Sequence, residues 1–278
     1  MFGRRPDATP VSELSAMRRF MPYISPRRND SVFHLAQDMD VEAALEFLEE
    51  KNRERPNDRL ITLFHLLLRS SGQALELRPG VNRFVKGGRL WQRDGVWLTF
   101  SAEMRGEDGS PLITVKRRFE PAHESLDQML DGVYGLIRPA PTERKSTSDK
   151  QLRVRLRLPG FGIRATVGVL RFADRFGLVP RGMIEADPLY ASIFFADAGS
   201  VGHEAGFHHL WEHGTCSIFC VMSKIKRGPD GRRFMTVCWT YDERIEDGLY
   251  SNITIAGIKK RIENPELLEL STRELERR

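Results

Sequence analysis

Apolar and polar residues follow two different periods along this chain. From Val32, the apolar residues Phe33, Leu35 and Met39 broadly alternate with polar ones, the mark of a half-buried strand. Asp40 then offers an N-cap for a helix in which Val41, Ala44, Leu45 and Leu48 share one face, with Glu42, Glu46, Glu49 and Glu50 outside it. Arg55-Pro56-Asn57-Asp58 ends that helix and starts another, where residues 60–68 are apolar nearly all round, as in a helix buried on several sides. His65 inside this run is a candidate ligand, but a hydrogen-bonded core histidine is the better reading. Upstream, Thr9-Pro10 reads as the N-cap and first turn of a helix leading to Arg18 and Arg19.

Between residues 81 and 119 the pattern shortens to strands and tight turns. Gly87-Gly88, Asp94-Gly95 and Glu107-Asp108-Gly109 separate the apolar runs, among them residues 95–100 and 112–115. Residues 124–137 return to helical spacing, residues 139–150 are polar and turn-rich, as in a mobile loop, and residues 217–222 form an apolar run of strand length. Helices, then a meander, then a helix and more strands place the chain in the α/β class.

At 278 residues with 40% apolar content the chain can bury a large core, and no internal repeat divides it. We read residues 12–270 as one domain, with tails at 1–11 and 271–278. No run approaches the ~20 apolar residues of a membrane helix, and residues 1–10 hold no apolar h-region. A soluble, cytoplasmic protein is expected. The 43 Lys and Arg exceed the 38 Asp and Glu only slightly, and their scatter disfavours nucleic acid as a partner. The odd count of three cysteines, Cys216, Cys220 and Cys238, argues for reduced thiols. One stretch interleaves basic and apolar residues closely: Arg153, Arg155 and Arg157 alternate with Leu and Val, and Arg164, Arg171 and Arg175 sit among Val167, Leu170 and Phe172. That suits a weak contact with an anionic membrane surface or an acidic partner, but a strand or helix with a solvated arginine face is the better reading.

The stretch Tyr241-Asp242-Glu243-Arg244-Ile245-Glu246-Asp247-Gly248 carries the clearest candidate chemistry. It resembles the His-x-x-x-Asp-Gly active-site motif of the CoA-dependent acyltransferases, with Glu243 at the histidine position. Arg18-Arg19, Phe33-His34-Leu35 and Met39-Asp40-Val41 resemble the opening of chloramphenicol acetyltransferase and of the dihydrolipoyl acyltransferase catalytic domain. Residues 192–202 stand where the dihydrolipoyl enzymes carry a strand ending in Ser-Asn-Leu-Gly or Ser-Ser-Leu-Gly, and Ala196 aligns with the first serine. Ser200-Val201-Gly202 and Phe207-His208-His209-Leu210 resemble segments of a divergent, stand-alone branch.

The resemblance implies a two-layer α/β sandwich with a mixed β-sheet, the chloramphenicol acetyltransferase-like fold, assembled as a homotrimer with active sites between subunits. It implies acyl-CoA as substrate and a small-molecule acceptor; the length of the chain leaves no room beside such a domain for a lipoyl attachment site, and no metal is expected. Arg18 or Arg19 would pair with a buried Asp247, followed by a turn glycine, Gly248. Ala196, with Ser200 nearby, would stand at the position that stabilises the tetrahedral intermediate. Glu243 would take the acceptor's proton, or would fix the tautomer of His208 or His209 acting as a replacement base. An inactive scaffold or ligand sensor is the alternative.

His203, His208, His209 and His213 lie close in sequence to Cys216 and Cys220, which raises a zinc site. The spacing matches no finger or zincin, and four residues along a strand span about 13 Å, too far for both cysteines to share one tetrahedral ion.

Overall fold

The computed structural model describes residues 4–103, 112–137 and 159–277. The turn at Glu107-Asp108-Gly109, the loop expected at 139–150, and Arg153, Arg155 and Arg157 lie outside them. Among the described residues, strands β1 (Ala8–Pro10), β3 (Arg83–Lys86) and β4 (Arg89–Arg93) make a small antiparallel sheet of order β1-β4-β3. The larger, mixed sheet contains β2 (Val32–Asp40), β5 (Val96–Glu103), β6 (Leu112–Phe119), β7 (Ile193–Asp197), β8 (Ile218–Arg227) and β9 (Arg233–Asp242), in the order β2-β9-β8-β7-β5-β6. Its β5-β7 and β7-β8 pairs are parallel and its other pairs antiparallel.

Helices α2 (Glu42–Asn52), α3 (Leu63–Leu77) and α7 (Gly248–Glu263) pack on one face of the large sheet, joined by α4 (Leu126–Ile137). The result is a two-layer α/β sandwich. Leu98, Phe100, Ile193, Phe195, Trp239 and Tyr241 project from the sheet into this main core. The next residues in register, Phe194, Phe219 and Cys238, point the other way into a small second cluster with Leu210 and Val221. Period 2 in the strands therefore separates two environments, and the candidate site straddles them.

The expected α2 and α3 both form, although the N-cap position of α2 is Val41 and not Asp40, which stands one residue ahead of it. Asp40 Oδ1 accepts the Glu42 amide at 3.0 Å, and Val41, Ala44 and Leu48 are buried. Helix α3 is buried on nearly every side. His65 is a core histidine, not a ligand: its Nδ1 lies 3.2 Å from the Thr62 amide and 2.9 Å from Thr62 Oγ1, forming a capping box. Burial lowers its pKa to about 4.

Three further expectations are corrected. Thr9-Pro10 does not start a helix; both residues are in β1, and α1 (Ala16–Ile24) begins after its N-cap, Ser15. Proline fixes φ without an amide hydrogen, which suits an edge strand as well as a first helical turn, and β1 is an edge strand. Nor are residues 4–11 a tail: Arg5 is buried against Asp7 and Asp174. At the other end, α8 (Thr272–Leu275) is packed, with Thr272 buried and its hydroxyl donating to Glu76 at 2.7 Å. The remaining helices, α5 (Gly160–Arg175) and α6 (Arg181–Ala186), lie beside the small sheet's end of the molecule. No helix among the described residues is long and apolar enough to cross a membrane.

Candidate functional site

Strand β9 delivers the motif stretch. Its last residue, Asp242, is fully buried and accepts two charge-assisted hydrogen bonds from Arg244, at 2.8 Å each, while Arg28 Nε lies 3.7 Å away. Arg244 Nη1 also donates to the carbonyls of Ser25 and Pro26, and Arg28 donates to those of Trp211 and Gly214. A buried carboxylate between two buried arginines is costly unless their donors are used, and carbonyls from two other segments take up Nη groups of both arginines, leaving Arg28 Nε with only its ionic contact to Asp242. This group was missed in the sequence reading. Its local signal is a carboxylate and an arginine two residues apart at a strand end; Arg28 could not be assigned to them without the fold.

Glu243 is held by its backbone. Its amide donates to Ser31 O at 2.8 Å and its carbonyl accepts from Arg18 Nη1 at 2.9 Å, while its side chain is exposed. The Arg18 pairing differs from the expectation. Arg18 Nη2 lies 3.8 Å from Glu246, which also accepts from Arg83 at 2.6 Å, and Arg19 is exposed. Asp247 is exposed rather than buried: it is the N-cap of α7, and its carboxylate accepts the Tyr250 amide at 2.7 Å. Gly248 is consequently the first helical residue and not a turn glycine, and a Cβ there would meet no atom within 4 Å. Burial raises the Tyr241 hydroxyl pKa, and the nearby carboxylates of Glu243 and Asp247 push it the same way. Glu243 follows the end of β9 and Asp247 caps α7, while the Tyr241 side chain itself projects to the helix side of the sheet.

His208 is on the other side. Its ring stacks on Phe219 with centroids 4.0 Å apart and on His209 at 4.4 Å, and its Nδ1 lies 2.7 Å from the His209 carbonyl. That carbonyl, and not Glu243, fixes its tautomer. Among the described residues no hydrogen bond or ion pair joins Glu243 to His208 or His209. His209 is exposed, edge-on to Trp211 at 4.7 Å. Phe219 is in register with Thr240, and Thr240 with His34, whose Nδ1 lies 3.1 Å from Thr240 Oγ1. His34 is exposed and its ring is 4.9 Å from that of Phe207. It is a further imidazole on this face that the sequence reading did not single out as a base; it is in phase with Val32, which packs against the second cluster, and that placement needs the fold.

Ala196 shares that face, opposite Val221, and offers a methyl where a serine was the comparison. Ser200 does not replace the hydroxyl there: its Oγ donates to the Asp197 carbonyl at 2.8 Å and its amide to Asp197 Oδ1 at 3.0 Å. The turn is tight, since a Cβ on Gly199 would sit 2.4 Å from Ser223 O. Cys216, Cys220 and Cys238 are buried free thiols, and His213 is bound to Asp187 at 2.8 Å. Among the described residues no group of His, Cys, Asp and Glu is placed to hold a metal ion.

No protein-family model and no curated protein matches the chain. Solved structures do. A probable dihydrolipoamide acetyltransferase from Listeria monocytogenes superposes with a TM-score of 0.56 at 14% identity, over 91% of this chain and 94% of that one. The dihydrolipoamide acetyltransferase of Azotobacter vinelandii, investigated for the role of a serine, a histidine and an asparagine in its catalytic mechanism, gives 0.54 at 14% identity over 94% and 95%. A chloramphenicol acetyltransferase gives 0.54 at 12% identity over 92% and 98%. The fold is that of the CoA-dependent acyltransferases, retained at a sequence identity that carries no statement about activity.

Proposed function

We propose that this chain is a cytoplasmic, homotrimeric acyltransferase-like protein that moves an acyl group from acyl-CoA to a small-molecule acceptor at a site shared between copies. The observation behind this reading is the motif stretch kept at the end of β9 on this fold, with Glu243 exposed and Asp247 capping α7, beside a face lined by Ala196, His208 and His34. In this reading the two sets meet at one acyl carbonyl between copies.

In the step proposed, the acceptor's X–H proton passes to the Glu243 carboxylate as X attacks the acyl carbonyl. The tetrahedral intermediate then collapses with cleavage of the C–S bond, and the CoA sulfur takes the proton back. Carboxylates as a class are about two pK units weaker as bases than imidazole, so turnover is slow beside a histidine in the same place. An inactive scaffold or ligand sensor is the second reading. It is favoured by Ala196, which has no hydroxyl to offer, and by the lack of any histidine bonded to Glu243 among the described residues.

Calorimetric titration with CoA and a panel of acyl-CoAs, followed by thiol release with candidate acceptors, tests the proposal. Saturable binding with turnover that is lost in Glu243→Gln and raised in Glu243→His supports it. Reassembly of Glu243→Gln with the double variant His208→Ala, His209→Ala should recover activity if the site is shared. Absence of acyl-CoA binding leaves the scaffold reading.

A further inference from the structure

We infer that helix α5 is a docking surface for an anionic lipid membrane. The helix lies along the outside of the molecule for its whole length, and Asp174 is its one buried residue among the described residues. Asp174 is held by Arg5 Nη1 at 2.8 Å and Lys86 Nζ at 2.6 Å. The Gly87 turn seats the same end, since a Cβ there would lie 2.6 Å from the Arg175 carbonyl. The C-terminal end is thus anchored to the body by a buried charge group and a close backbone approach, and the remaining turns are presented outward.

The outward surface is sorted by chemistry. At about 100° per residue, Arg171, Arg164 and Arg175 fall within an arc of about 40°. Phe161 and Phe172 fall side by side next to it, and Val169 beyond them. Phe161 is 79% exposed, Val169 67% and Phe172 62%, a cost in water that a solvated arginine face alone does not account for. The helix's one acid is spent inside, so every charge it presents is positive, and among the described residues neither Arg164 nor Arg171 has an acidic partner. A basic stripe flanking an apolar stripe is the arrangement that lies in the plane of an anionic interface, with arginines at the phosphates and rings below them. A convex ridge also suits a lipid layer, which conforms to it, better than a protein partner, which would need a matching groove.

The test is co-flotation of the full chain with vesicles of phosphatidylcholine, or of phosphatidylcholine containing a third phosphatidylglycerol, at low and physiological salt. The protein should float with the anionic vesicles, less so as salt rises, and not with the neutral ones. Removing each arginine should weaken binding about fivefold, so Arg164→Gln with Arg171→Gln should lower it roughly 25-fold, while Arg164→Lys retains it. Phe161→Ser with Val169→Ser should lower it at every salt concentration, and Arg53→Gln, on the end of α2, should not. No flotation at low salt, equal flotation with neutral vesicles, or an equal loss in Arg53→Gln would overturn the inference. So would a change in oligomeric state, without change in flotation, on replacing Phe161 and Val169; that result would make the face a contact between copies. Acyl-CoA turnover in solution is not involved, so this inference and the proposed function fail separately.

Discussion

The motif loop, residues 241–248, and the histidine segment, residues 203–213, are fastened to the same short stretch of chain by different means. The loop is fastened with buried charge: Asp242 to Arg28 and Arg244, and the Glu243 amide to Ser31. The segment shares one of those charges, since Arg28 donates to the Trp211 carbonyl, and is otherwise fastened with polar contacts nearer the surface: Asn29 Nδ2 donates to the Leu210 carbonyl at 2.6 Å, the Leu210 amide returns a bond to Asn29 Oδ1 at 3.0 Å, and Glu212 accepts from Asn29. Its rings then stack on Phe219. In the loop the backbone of Glu243 is fixed while its side chain carries no structural duty. A fold can therefore keep the loop after the chemistry at that position has changed. In the segment the rings themselves are the structure, so a histidine there is constrained before any catalytic use.

The contrast breaks most visibly at two aspartates five residues apart, Asp242 and Asp247. Asp242→Asn leaves two buried guanidinium groups without a counter-charge and should cost about 3 to 5 kcal/mol in denaturant unfolding. The same change at Asp247 should cost almost nothing, because asparagine caps a helix as well as aspartate does. Equal losses at the two positions would mean that Asp247 has a charged partner supplied by another copy.

Histidines differ in the same way. Unfolded His65 takes up a proton near pH 6.5 and folded His65 only near about 4, because burial disfavours the charged ring. Between those values the unfolded state binds more protons, so stability falls as pH falls through the window, by about 3 kcal/mol once pH 4 is passed. His65→Gln should flatten that part of the stability profile measured by urea titration. A profile unchanged by the substitution would assign the acid sensitivity elsewhere. His208, half-buried and stacked, should show the smaller effect: His208→Ala should lose about 1 kcal/mol of aromatic contact. Lost turnover in a still-folded His208→Ala protein would give the ring a role beyond packing.

The parts of this architecture visible in the sequence are those set by local pattern. Strand β2 and helices α2 and α3 follow from period alone, and the glycine turns at Gly87, Gly88 and Gly95 all adopt positive φ. Pairings between distant segments were not visible. Arg28 reaches Asp242 across more than two hundred residues, and nothing in the spacing of Arg18, Arg19, Arg27 and Arg28 says which of them does so. Thr9-Pro10 shows the same limit from the other direction, since a hydroxyl followed by proline fits both a helix start and an edge strand until β4 is in place beside it. The assignment of Tyr241 and Thr240 to opposite faces, and with it the contact of Thr240 with His34, likewise depends on the register of β9 with its neighbours.

Gly248 gives the smallest expected effect and the sharpest use of the comparison. The glycine of an Asp-Gly pair invites a conformational explanation, yet here φ is not in the left-handed region and the space a Cβ would enter is open. Alanine at the first helical position should leave stability within about 0.5 kcal/mol of the parent, as surface changes usually do. If Gly248→Ala instead lowers stability in a concentration-dependent way, or blocks assembly or acyl-CoA binding while the isolated chain stays folded, the demand for a glycine comes from outside this chain. Its open space would then be the place where a second copy or the substrate approaches the N-terminus of α7.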